Sequence, residues 1–174
     1  MPFTPFHMGA GLLAKAATGS HMSIVSFALA QVAMDMEPGV RMVMGDATLH
    51  GWSHTWLGAV AIGAITVPMA RPLSQRIVTR WNHEVRHYGQ AWLAVGGCVG
   101  WGAIAVGAFW GTFSHVLLDS LMHADMLPWV PFTQANPLLG WVAHDTVYHA
   151  MSMSAVVGAL AWLVRKYRRR EAVV

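Results

Sequence analysis

The amino-acid sequence predicts an all-α, polytopic membrane protein with a re-entrant helical hairpin, three transmembrane helices and a surface helix. Of the 174 residues, 55% are hydrophobic and only 11% are charged, and the mean hydropathy is +0.44. Soluble domains carry about 25% charged residues. The apolar residues are spread over several stretches that are long enough to enter or cross a bilayer. We therefore expect a single integral membrane domain over residues 1–174.

The first apolar region predicts the hairpin. A single helix through it would exceed the roughly 30 Å hydrocarbon core, and the Gly-Ser pair at 19–20 interrupts it. We expect two short helices, over 8–17 and 22–34, which fold back on each other and enter the bilayer only partly. This hairpin would bring His7 and Asp35 to the same side.

The three later apolar stretches predict the membrane helices. Arg71 and Pro72 end the first of them, since charge and proline together stop a transmembrane pattern. The basic amphipathic stretch that follows is expected to lie along the membrane surface. The predicted boundaries are 1–50 for the hairpin and outer loop, 51–70, 88–122 and 141–164 for the membrane helices, 71–87 for the connector, and 165–174 for a basic tail.

Glycines in the second membrane stretch recur at spacings of four and seven residues and form a smooth stripe. Such a stripe is typical of close helix packing in membranes. The stripe consists of Gly96, Gly100, Gly107 and Gly111.

The charge distribution predicts the orientation. Nine of the eleven lysines and arginines fall in the connector and the tail, which should therefore be cytoplasmic together with the C-terminus. Six of the eight acidic residues and most of the histidines collect on the opposite side. A basic cluster beside an apolar helix is typical of a cytoplasmic helix end, so we expect membrane lipids, and not nucleic acid, as partners.

The ten histidines require an explanation, because imidazoles at membrane depth are costly unless they are paired, hydrated or bound to metal. His50 and His54 are spaced i,i+4 on a predicted helix face, as are His115 and Asp119. Each pair alone is more typical of a hydrogen-bonded pair than of a metal site, but all lie at one outer level. The predicted metal ligands are His7, Asp35, His50, His54, His115 and Asp119.

Six donors exceed the three protein ligands and one water of a single catalytic zinc ion. The set therefore predicts either two ions or a mixture of ligands and outer hydrogen-bond partners. Histidine with carboxylate suits a divalent transition metal better than calcium or magnesium. We expect zinc, with manganese or iron as alternatives.

Four motifs together resemble a known family. In order, they occupy residues 4–9, 31–38, 49–55 and 114–120. They resemble the bacterial inner-membrane, metal-dependent hydrolase-like family whose best-known member is induced in the SOS response, and the resemblance covers about residues 3–132. It implies an inner-membrane location, a metal site and a hydrolytic reaction, without naming a substrate.

The resemblance supports five of the six predicted ligands. The exception is His50, because many relatives have the first histidine one position earlier, where this chain has Leu49. The stretch 120–125 also departs from the Thr- and Gly-containing form that is common in the family. The five supported ligands are His7, Asp35, His54, His115 and Asp119.

The expected function is hydrolysis by metal-activated water at the level of the outer leaflet. If Trp110 marks the interface, His115 lies about 7 Å and Asp119 about 13 Å beyond it along the helix, at headgroup depth. The expected substrate is a phosphoester or ester of a lipid or another amphiphile. Three residues are candidate proton carriers, without a ranking among them: Glu37, His123 and Asp125.

Two alternatives stay open at this point. A non-catalytic metal-binding membrane protein, such as a sensor, carrier or structural subunit, would use the same donors. The segment His83–His87 also reads HExxH, the pattern of a zinc metalloprotease. Its basic surroundings favour a solvated helix face with i,i+4 charge pairs. Asp145 and His149 could extend the outer site, although a hydrated helix start is the favoured interpretation.

Overall fold

The computed structural model describes residues 6–171, which form an all-helical chain without strands. Thr4 and Pro5 of the first motif and the end of the predicted basic tail lie outside this part. Single turns of 3-10 helix lie at Gly19–His21, Trp52–His54 and Ala91–Leu93. The five α-helices are α1 (Met8–Thr18), α2 (Ile24–Met44), α3 (Trp56–His87), α4 (Trp101–Met122) and α5 (His144–Glu171).

Three helices are long and apolar enough to cross a membrane, which agrees with the predicted class. They are α3, α4 and the part of α5 over His144–Arg169. Of the three, α5 is covered least by the rest of the protein.

The structure corrects the prediction of a separate connector after the first membrane helix. Residues 71–87 are the second half of α3, which continues through Pro68 and Pro72 as one helix. At 1.5 Å per residue its 32 residues extend about 48 Å, more than a hydrocarbon core requires. Basic residues therefore continue along the axis of a long helix, and they do not begin a separate one.

The second membrane helix starts later than predicted, at Trp101 instead of residue 88. The intervening segment lies against α3, whose side chains satisfy its backbone. Asn82 donates to the carbonyl of Val95 and accepts from its N–H (3.0 and 2.9 Å), and Gln75 contacts Gly97 and Val99 in the same way (2.7 and 3.1 Å). These amide contacts give the segment an alternative to helical hydrogen bonds.

The predicted hairpin also differs in its packing. α1 packs mainly along α5, whereas α2 packs along α4 and α3. A Cβ on Gly9 would overlap the carbonyl oxygen of Met151, so the backbones of α1 and α5 touch there. The break at 19–20 is confirmed, but α2 runs on to Met44.

α2 continues through Pro38 because the hydrogen-bond acceptor that this proline leaves free finds another donor. Proline has no N–H for the carbonyl of Met34, four residues earlier. The hydroxyl of Ser53 donates to that carbonyl instead (3.4 Å). The contact also fastens the segment before α3 to the middle of α2.

The glycine stripe is confirmed only in its second half. A Cβ on Gly107 would overlap the carbonyl oxygen of Ser23, and one on Gly111 would lie 2.8 Å from the Cβ of Ala30. Gly96 has nothing within 4 Å of such a Cβ, since it precedes α4. Gly107 and Gly111 therefore let α2 pack closely on α4.

Candidate metal centre

The six predicted ligands meet at one end of the helices. His7 is the residue before α1, and Asp35 lies in the middle of α2. His50 and His54 lie in the loop and 3-10 turn before α3, not on an α-helical face as predicted. His115 and Asp119 lie in the last turns of α4, a helix that is long and apolar enough to cross a membrane.

Asp119 lies at the centre of the cluster, and its two carboxylate oxygens face different imidazoles. All these imidazole nitrogens are Nε2 atoms. Around Oδ1 lie His7 at 3.3 Å and His123 at 3.8 Å. Around Oδ2 lie His115 at 3.1 Å, His54 at 3.3 Å and His50 at 3.9 Å. Asp35 reaches the same cluster, since its Oδ1 lies 3.3 Å from Nε2 of His115.

Four of these nitrogens are buried and form no hydrogen bond with the residues that the structure describes. They are Nε2 of His7, His50, His54 and His115. Their contacts with Asp119 have the distance of an ion pair but not the geometry of a hydrogen bond. Because a buried polar atom without a partner costs free energy, four such atoms facing one carboxylate indicate a ligand between them.

Hydrogen bonds on the far side of three rings fix the tautomer. Gln31 donates through Nε2 to the carbonyl of Gly111 (3.1 Å), so its oxygen accepts from Nδ1–H of His115 (2.5 Å). In the same way, Nδ1–H of His50 donates to Asp125 (2.8 Å).

Ser53 fixes the tautomer of His54 in the same way. Its hydroxyl donates to the carbonyl of Met34, so it accepts from Nδ1–H of His54 (2.8 Å). In all three rings Nε2 is therefore the nitrogen that would bind a metal ion, and it faces Asp119. Metal-binding histidines typically have this arrangement of outer partners.

The spacing of the donors fits a transition metal. Four ligands at about 2.0–2.1 Å from a tetrahedral zinc ion stand about 3.3 Å from one another. The contacts of Asp119 with His7, His54 and His115 measure 3.1–3.3 Å, as does the contact between His115 and Asp35. The donor set of imidazoles and carboxylates also suits zinc, manganese or iron.

Four overlapping triplets in the described residues could each hold an ion. Within each triplet, one donor atom per residue lies within 4.8 Å of the others. Every predicted ligand belongs to at least one triplet. The triplets are His7–His115–Asp119, Asp35–His54–His115, His50–His54–Asp119 and His50–His123–Asp125.

The predicted proton carriers Asp125 and Glu37 hold the loop that carries the ligands. Asp125 accepts from the N–H groups of Leu49 and His50 (2.9 and 3.1 Å) in addition to the His50 ring. Burial opposes its ionisation, but these donors lower the pKa of Asp125 below its usual value. The bonds of Asp125 to the backbone and to the His50 ring together position His50 at the cluster.

Glu37 has a similar place on the other side of this loop. One oxygen accepts from the N–H of Ser53 (2.7 Å) and the other pairs with Arg41 (2.9 Å). Burial opposes ionisation, but Ser53 and Arg41 lower the pKa of Glu37. The carboxylate is therefore engaged by the loop and by Arg41, and its role as a proton carrier stays a prediction.

Two imidazoles of the cluster, His54 and His123, have a lowered pKa. Burial lowers the pKa of His54 below its usual value, although Asp119 opposes this shift. Burial also lowers the pKa of His123, which is less deeply buried and lies at the end of α4. A neutral imidazole is the form that binds metal.

Two residues that hydrogen-bond to predicted ligands, Gln31 and Ser53, were not identified from the sequence. Gln31 lies one helical turn before Asp35 on α2, so the i,i+4 spacing that identified the other pairs could have identified it. Ser53 gave no such signal, because its role depends on the turn that folds it back on His54.

Two other histidine and carboxylate motifs lie apart from the cluster. His83 and His87 stack at 6.3 Å, but Glu84 between them pairs with Arg80 (2.7 Å). The HExxH segment contributes to none of the four triplets, and its histidines are exposed. Asp145 and His149 are exposed as well and belong to no triplet within the described residues.

Comparisons of the chain with protein-family profiles, curated proteins and solved structures found no match.

Proposed function

We propose that this protein is a membrane-embedded, metal-dependent hydrolase that cleaves an ester or phosphoester of a lipid or another amphiphile. The observation that carries the proposal is the group of four buried Nε2 atoms that face Asp119 without a hydrogen-bond partner in the described chain. The ordered motifs that resemble bacterial inner-membrane metal-dependent hydrolases point to the same chemistry.

The imidazoles and carboxylates around Asp119 would hold a divalent transition metal, with zinc as the first choice. Such an ion, when bound, makes water a nucleophile near neutral pH and polarises the oxygen of the group under attack. In the net reaction water is split, so that the acid product gains hydroxyl, the alcohol product gains a proton, and the ester bond to oxygen breaks. His123, which is more exposed than the other imidazoles that face Asp119, would move that proton.

The one-sided arrangement supports an enzyme over a carrier. The ligands lie where α1 and α3 begin and α4 ends, whereas Arg165 caps the other end of α1 through the carbonyl of Ala16 (3.0 Å). A carrier needs polar groups along a path through both leaflets. We place the donor end at the outer leaflet and the basic end in the cytoplasm, by the positive-inside rule.

An amphiphilic substrate fits the location of the donors. His115 and Asp119 occupy the last turns of a candidate membrane span, so the reacting group must approach at the boundary between acyl chains and headgroups. A lipid presents its ester and phosphate groups at this depth.

A non-catalytic metal protein is the second candidate, because the donors outnumber those that one catalytic zinc needs and could saturate an ion. Metal analysis of the purified protein, with assays of phospholipid and phosphomonoester hydrolysis, tests both. The double variant His115→Ala, Asp119→Ala should lose metal and hydrolysis. The control His83→Ala, His87→Ala should keep both.

Unchanged metal content in the first double variant would refute the site. Bound metal without hydrolysis of any tested ester would favour the non-catalytic protein. In each case, circular dichroism and gel filtration check that the variant is folded.

A further inference from the structure

The cluster around Asp119 contains more donors than one ion can use. Five imidazoles lie within 4 Å of its carboxylate, and Asp35 adds a second carboxylate. A tetrahedral ion would take four ligands and leave buried nitrogens without a partner. The unpartnered Nε2 atoms of His7 and His50 are the most informative, because these two residues share no triplet.

Two of the triplets have only Asp119 in common. One joins Asp119 to His7 and His115, and the other joins it to His50 and His54. His7 faces Oδ1, whereas His50, His54 and His115 face Oδ2. A carboxylate whose two oxygens both face unpartnered imidazoles has the arrangement of a bridging ligand.

We infer that the centre holds two divalent transition-metal ions bridged by the carboxylate of Asp119. One ion is bound by His7 and His115, and the other by His50 and His54. With Asp119 as the shared ligand, each ion has three protein ligands, which leaves room for water or substrate. The outer bonds of His50 to Asp125 and of His54 to Ser53 orient the ligands of the second ion.

This step rests on the proposed function. The net charge of the centre favours one substrate class among those proposed there. Two dications face three carboxylates, those of Asp35, Asp119 and Asp125, so one positive charge remains. An anionic phosphoester balances that charge, whereas a carboxylic ester is neutral. Two-ion centres are also suited to phosphoryl transfer, since they stabilise the attacking and the leaving oxygen together. The substrate class is therefore a phosphoester with an apolar tail.

The number of ions provides the first test. Zinc-loaded wild-type protein should contain two ions per chain by elemental mass spectrometry. His7→Gln and His50→Gln should each retain one, and Asp119→Asn should lose both. His144→Gln is the matched control, because His144 lies close to His123 but belongs to no triplet, and it should retain two.

Electron paramagnetic resonance of manganese-loaded protein tests the bridge without any activity assay. Two bridged ions should give an exchange-coupled signal, which Asp119→Asn should abolish. One ion per chain in the wild type, or two ions without coupling, would overturn the inference. The wild-type measurements decide this even if a variant fails to fold.

Binding of inorganic phosphate to zinc-loaded protein, measured by calorimetry, tests the substrate class. Phosphate should bind the wild type and bind His7→Gln at least tenfold more weakly. Two ions without phosphate binding would overturn the phosphoester class. Two coupled ions and phosphate binding, but no hydrolysis of any ester, would instead refute the proposed function and leave the ion pair in place.

Discussion

The two ends of this protein carry histidine pairs of identical spacing in opposite surroundings. His50 and His54 are buried, and their Nδ1 atoms are held by Asp125 and Ser53. His83 and His87, also four residues apart, are exposed, and the carboxylate between them pairs with an arginine. Spacing alone therefore does not identify a metal site. Burial and hydrogen bonds on the far side of the ring distinguish the two ends.

The largest expected effect comes from Asp119→Ala, which removes the residue that four of the predicted ligands face. Zinc affinity should fall by more than about 100-fold, because even an outer partner of a ligand is worth about 10- to 100-fold. Competition with a fluorescent zinc chelator measures this. Asp145→Ala, at an exposed carboxylate, should change nothing. Equal affinities of both variants would contradict the site.

Gly107→Ala tests the close packing of the start of α2 against α4, about 12 Å along α4 from His115. The added methyl group would overlap the backbone of Ser23, so the free energy of unfolding should fall by about 1–3 kcal/mol. Gly102→Ala, in the same helix with nothing within 4 Å, is the control. Thermal unfolding in detergent should separate the two variants, and indistinguishable midpoints would argue against the close contact.

Gln31→Ala tests the hydrogen bond on the far side of the His115 ring. His115 loses the acceptor of its Nδ1–H, so zinc affinity should fall about 10- to 100-fold while the ligands stay in place. Gln75→Ala removes an amide that binds backbone near the other end, and it should leave zinc affinity unchanged. A similar loss in both variants would mean that general destabilisation, and not ring orientation, is being measured.

The smallest expected effect comes from Glu37→Ala, for which Glu84→Ala is a closely matched control. Each of these glutamates pairs with an arginine at i,i+4 spacing. Glu37 pairs with Arg41 and also accepts from the N–H of Ser53, whereas Glu84 pairs with basic side chains, Arg80 and His83. Glu37→Ala should weaken zinc binding several-fold, because the loop that carries His54 loosens. Glu84→Ala should have no effect. The prediction fails if the two variants bind zinc equally well.

The helical class and the ligand cluster could be predicted because they depend on hydropathy and on residue type. Predicting the six donors required only that they share a common level, where four of them face Asp119 and Asp35 contacts His115. The roles of Glu37 and Asp125 were harder to predict, since a carboxylate near a site can carry protons or hold a loop. Their contacts with backbone N–H groups depend on the path of the loop.

The boundaries were predicted less well because tertiary contacts overrode local signals. Pro72 did not end α3, and Pro38 did not end α2, where the carbonyl left without a donor receives one from Ser53. Residues 88–100 are apolar enough to be part of a helix. Their backbone is instead bound by Gln75 and Asn82, side chains that are distant in sequence.

The close contact between α1 and α5 has a consequence for biosynthesis. His7 precedes α1, and α1 is held mainly by α5, which the ribosome makes long after His7. The other predicted ligands lie on α2, on α4 and in the segment before α3, all of which are made before α5. A nascent chain arrested before the fifth helix would lack the main contact that holds α1, and with it His7, in place.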